Sequence, residues 1–150
     1  MAVIANSNQY ALQTTVRRSG EPLGPWARFD GLIATATTGT INCIKLPPGK
    51  LNIFPYESRW QSANMVSGAN VSVGYAAYTD ANGAAVAANT VALLAATAAG
   101  AGAVNAALTT PTTGCLKLDS LDGVTITATV TDANTVANQT FSGYVAFAKV

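Results

Sequence analysis

The clearest periodicity in the chain runs from Val124 to Thr131, where V-T-I-T-A-T-V-T alternates apolar and hydroxyl side chains over eight residues. Successive side chains of a strand point to opposite faces, so Val124, Ile126, Ala128 and Val130 face a core while the four threonines face the other way. After a turn at Asp132-Ala133-Asn134 the chain returns over 140–150, with Phe141, Gly143, Val145, Phe147 and Lys149 on one side and Tyr144, Ala146 and Ala148 on the other. Upstream, 115–118 reads as a strand with Leu116 and Leu118 on one face. Asp122-Gly123 follows it as a favoured hairpin turn, because glycine tolerates positive φ. Short Thr/Val/Ile-rich runs at 32–37 and 40–46 flank Thr38-Gly39, and Pro47-Pro48-Gly49 stops the second of them, since proline cannot continue a ladder. Residues 50–56 form the next strand, with Leu51, Ile53 and Pro55 on one side. Residues 71–75 form another, in which Gly74 marks a bulge or a close backbone approach. Strands at this spacing, joined by short turns, predict an all-β sandwich or barrel.

Two stretches depart from this pattern. Residues 1–30 lack sustained periodicity apart from a short possible strand at 9–16, and 19–26 is dense in glycine and proline. They read as an extended N-terminal arm, leaving 31–150 as the β domain. The arm ends in Trp26 and Phe29, and it packs either on its own domain or on a neighbour. Between Ala81 and Leu116 there are 36 residues without a charge. Within this stretch, 89–97 predicts two helical turns, with Asn89 as N-cap and Gly100 or Gly102 as the stop, so the 84–105 excursion carries one short helix. Alanine, threonine, asparagine and glycine dominate the stretch, which argues against a membrane span.

Composition narrows the function. Charged residues make up 10% of the 150, against about 25% in an ordinary soluble domain. Apolar residues make up 49%, but 29 residues are alanine, so the bulky core set is modest. The chain has no histidine, which removes Ser-His-Asp triads, Cys-His pairs and histidine-bearing metal sites. A net charge of +1 offers no basic surface for nucleic acid. The first residues have neither a basic start nor a long apolar region, so no secretory signal is expected. Cys43 and Cys115 are too few for a disulfide scaffold; they are expected to remain thiols unless strands bring them together. The charge is uneven: residues 1–60 hold six cations and three anions (+3), and residues 61–150 hold two cations and four anions (−2).

The remaining chemistry is sparse. Acidic residues cluster in turn sequences at 79–83, 119–123 and 131–134, where Asp, Asn and Gly serve turn geometry. The 119–123 run lacks the alternation and closing Glu of a calcium loop, and no carboxylate pair stands out for glycoside chemistry. Arg17 and Arg18 form a small basic spot suited either to solvent or to an acidic protein partner. Trp26, Arg28, Phe29 and Trp60 are candidates for a protein interface, where Trp, Tyr and Arg dominate the energetics. The exposed aromatics, with Tyr56, Tyr75 and Tyr78, could equally stack on sugar rings or pack in the core.

Five segments also occur in the order seen in small tailed-phage head proteins. They are Phe29-Asp30-Gly31-Leu32-Ile33-Ala34, Lys45-Leu46-Pro47-Pro48-Gly49-Lys50-Leu51, Val71-Ser72-Val73-Gly74-Tyr75, the 80–83 turn, and the Thr-rich hairpin ending in Gly143-Tyr144-Val145. Over residues 29–150 the chain resembles the decoration or cement proteins made alongside the major capsid protein. The arm over 1–28 lies outside the resemblance, so roles for Arg17 and Trp26 rest on composition. The resemblance implies an antiparallel β-sandwich or jelly roll, a place on the virion capsid surface after synthesis in the host cytoplasm, and no enzyme activity. The implied partners are the major capsid protein and the chain itself, as a homodimer or homotrimer, with no cofactor, metal, nucleic acid or membrane. The alternative is a phage tail or surface module that holds host glycan through Trp26, Trp60 and Tyr78.

Overall fold

The computed structural model describes residues 1–8, 26–33, 36–100, 102–111, 114–135 and 137–150. Their strands are β1 Val3–Asn6, β2 Trp26–Ile33, β3 Gly39–Leu46, β4 Gly49–Ser62, β5 Asn70–Tyr75, β6 Tyr78–Thr79, β7 Ala85–Val86, β8 Asn89–Ala98, β9 Val104–Ala107, β10 Leu116–Ser120, β11 Val124–Thr131 and β12 Gln139–Lys149. One sheet has the order β1-β3-β11-β5-β8. The other has the order β10-β4-β12-β2, with β9 alongside β4, and β6 and β7 form a separate small ribbon. Every pairing is antiparallel except β1 with β3. The apolar faces of both large sheets feed one core, which includes Ile41, Val71 and Ile126 from the first sheet and Leu51, Trp60 and Phe141 from the second.

The sheets are joined by a folded ribbon. β3 pairs with β11 in the first sheet, and β4 pairs with β10 in the second. The chain passes between them at Pro47-Pro48 on one strand and at 121–123 on the other. Proline supplies no N–H to continue β3, and Gly123 (φ +91°) sits where a Cβ would collide with the Leu46 carbonyl oxygen. Asp122-Gly123 therefore makes a turn, but not the expected hairpin. Its flanking strands pair with β4 and β3 rather than with each other, so the turn is a corner between sheets.

Val124, Ile126, Ala128 and Val130 are fully buried, as their alternation predicts. Thr127 and Thr129 on the opposite face are also buried, at 3% exposure each, because β11 is a central strand flanked by β3 and β5. Gly74 is a close approach, as expected: a Cβ there would collide with the Asn89 carbonyl oxygen of β8.

The helix expected over 89–97 is absent; that segment is β8, paired with β5. A two-turn helix is marginal by itself, whereas the free side of β5 offers ladder partners, and β-branched Thr90, Val91 and Thr97 suit a strand. The ladder is irregular around Val73, and Leu93 and Leu94 are both buried. Among the described residues no helix is long and apolar enough to cross a membrane.

The described parts of the expected arm include two sheet strands. β1 joins the first sheet and β2 the second, and the 30/31 boundary falls inside β2. Residues 9–25, with Arg17 and Arg18, lie outside the described residues. Cys43 and Cys115 are free thiols. Burial pushes the Cys43 thiol well above its ordinary range.

Candidate functional site

β2 alternates cleanly. Ala27, Phe29 and Ile33 point inward and are buried, while Trp26, Arg28, Asp30 and Leu32 are exposed on the outer face of the second sheet. β2 is also the edge strand of that sheet, next to β12. Directly across from Arg28 lies Tyr144 of β12, and directly across from Tyr144 on its other side lies Arg59 of β4. Residues opposite each other in a sheet share a face, so Arg28, Tyr144 and Arg59 form one row across three strands. Trp26 packs against Tyr144 with ring centroids 5.2 Å apart and planes tilted by 56°. Trp26 remains 46% exposed.

The inward side of the same row is aromatic core. Phe29 and Trp60 lie 6.1 Å apart, and Trp60 stacks on Phe141 at 5.6 Å. Gly143 makes room for this, because a Cβ there would run into the Phe29 ring and the Arg59 carbonyl oxygen. Phe29 and Trp60 are therefore core residues, 3% and 0% exposed, not surface anchors. Of the two tryptophans, only Trp26 can meet a partner.

Beyond the arginine row is an open groove of about 650 Å³, lined by Asn8, Asp30, Leu32, Gln61, Asn105 and Ser142 among others. Several of its polar groups are tied to one another or to the row. Asn8 Nδ2 donates to Asp30 Oδ2 at 2.8 Å, Ser142 Oγ to Gln61 Oε1 at 3.3 Å, and Arg59 Nη1 to Asn105 Oδ1 at 3.2 Å. Among the described residues no group of three or more Cys, Asp or Glu side chains gathers as a metal set.

The glycan platform of Trp26, Trp60 and Tyr78 is not assembled. Trp60 is sealed in the core, and Tyr78 belongs to the β6–β7 ribbon, edge-on to Tyr75 at 5.7 Å. Burial, then the neighbouring Tyr75, Asp80 and Asp119, raise the Tyr78 hydroxyl above its usual range. The sequence singles out Trp26 and Arg28 but not Tyr144 or Arg59. The W-A-R-F-D-G-L-I alternation of β2 marks its outer face, and only register brings the other two residues to it.

The architecture is that of chains found in phage capsids. A chain in "Capsid of Ralstonia phage GP4" superposes with a TM-score of 0.62 at 17% identity, over 99% of this chain and 99% of that one. A chain in "Cyanophage Pam1 capsid asymmetric unit" does so with a TM-score of 0.50 at 12% identity, over 91% of this chain and 96% of that one. No protein-family model matches the sequence. No curated protein matches it either.

Proposed function

We propose that this chain is a non-enzymatic virion protein that binds the outer surface of a phage head and clamps neighbouring major capsid protein subunits. The observation that carries this reading is the end-to-end structural likeness to a chain of a phage capsid, with 99% of both chains covered. The exposed Trp26, packed on the half-buried Tyr144 that lies between Arg28 and Arg59, supports it with a surface of the residue types that anchor protein interfaces. With 10% charged residues, the chain buries broad surface at a low desolvation cost. As a dimer or trimer, each assembly would hold several capsid subunits at once, and a modest affinity at each contact would multiply into firm attachment.

The test uses heads assembled with and without the chain. Adding the purified chain to heads that lack it should saturate discrete surface sites and raise their resistance to heat and to chelator. Heads that are equally robust without it, and that take up none, would refute the reading.

A further inference from the structure

Building on that reading, we infer that the Arg28–Tyr144–Arg59 row is a receptor for paired carboxylates on a different protein chain. The two arginines sit two strand spacings apart, about 10 Å, on an exposed face. Arg59 donates to the neutral Asn105 side chain, and neither arginine makes an ion pair with a described residue. Two guanidinium groups thus flank Tyr144, which carries Trp26 beside it, and no described carboxylate forms an ion pair with either. Guanidinium forks bind carboxylates bidentately, and apolar rings beside them exclude water and strengthen those bonds.

Most of the described acids of this chain are already engaged, which favours a different protein over a second copy as the source of the complement. Asp30 accepts from Asn8. Asp80 Oδ1 accepts the backbone N–H groups of Asn82 and Ala84, both at 2.8 Å. Asp132 Oδ2 accepts from Asn70 and Thr131, and Asp119 lies opposite Lys50. Of the described acids, Glu57 and Asp122 remain, and they sit on different elements, Glu57 in β4 and Asp122 at the corner between the sheets. Nucleic acid is disfavoured because two cations on a chain of net charge +1 make no track along a phosphate backbone. The occupant is an acidic surface segment of another protein, which on the proposed function is the capsid lattice.

The experiment measures binding of the purified chain to heads lacking it, across a salt series. The variants are Arg28→Glu with Arg59→Glu, and Arg28→Lys with Arg59→Lys; near-ultraviolet circular dichroism verifies that each is folded. The wild type should bind more weakly as salt rises. The charge reversal should weaken binding by about 100-fold or more, and the lysine pair, which keeps charge but loses the fork, by about 10-fold. Full-strength binding by the charge reversal overturns the carboxylate receptor while leaving the head-binding reading intact. Failure of the wild type to bind heads at any salt overturns both. Preferential capture of double-stranded DNA overturns the assignment of partner.

Discussion

At the scale of single residues, Asp132 shows how a turn becomes a pH-sensitive contact. It adopts φ +68°, a left-handed conformation that aspartate and asparagine tolerate better than other side chains. There its Oδ2 accepts from Asn70 Nδ2 at 2.7 Å and from Thr131 Oγ1 at 2.9 Å. Those two bonds favour the charged form and hold the carboxyl below its ordinary value of 3.8. The unfolded chain therefore takes up this proton at higher pH than the folded one. The contribution is complete above pH 3.8 and is lost as the pH falls through the lower, folded value. Asp132→Asn keeps the turn geometry and removes the titration. Thermal midpoints followed from pH 6 to pH 2 should run parallel for the two proteins down to about pH 4, below which the wild type falls faster. Parallel curves through the whole acid range would show that the two donors do not discriminate the charged carboxylate.

At the scale of elements, the bulge in β4 decides which face the docking arginine occupies. Between Tyr144 and Ala146, β12 advances two residues, while β4 advances five, from Arg59 back to Phe54. Before the bulge the odd positions Leu51 and Ile53 are buried; after it the even positions Ser58, Trp60 and Ser62 are. A one-residue change of phase swaps the two faces of a strand, so without the bulge Arg59 would point into the core and Trp60 out of it. Ser58 stitches the excursion closed: its Oγ accepts the Ala146 N–H at 2.8 Å and donates to the Phe54 carbonyl at 2.8 Å. Ser58→Ala leaves a buried backbone donor unpaired and should cost about 1–3 kcal/mol of unfolding free energy, read from urea midpoints. No loss would mean that the ladder alone holds the bulge. This element also shows where the sequence stops being informative. Leu51, Ile53 and Pro55 reveal their shared side directly, but adjacent Tyr56 and Glu57 break the alternation, and the pattern ends the strand six residues early. The phase of Arg59 and Trp60 depends on β12, 88 residues along the chain from the Ser58 hydroxyl that fixes it. β8 is opaque for the same reason, since its alanine-rich run suits a helix until the free side of β5 is in view. β2 was readable in its own alternation, yet the Gly/Pro-dense stretch before it pulls Trp26 through Asp30 toward an arm.

At the scale of the whole molecule, the two tryptophans lie on opposite sides of one sheet and give independent reports of core and docking face. Trp60 is fully buried between Phe29 and Phe141, and Trp26 stands exposed over Tyr144. Trp60 Nε1 has no hydrogen-bond partner among the described residues. Trp60→Phe therefore removes an orphaned donor along with some volume, and it should cost less than the roughly 3–5 kcal/mol typical of truncating a core tryptophan to alanine. Trp26→Phe leaves the core untouched. The two single-tryptophan proteins thus keep the fold and separate the signals. In the free chain, acrylamide should quench Trp26 strongly and Trp60 hardly at all. On heads, the Trp26 signal should become protected while Trp60 stays as it was, because docking covers the outer face of the second sheet without repacking its inner one. If Trp26 stays as open to quencher on the head as in solution, the chain attaches by some other surface, and Arg28, Tyr144 and Arg59 lose their role with it.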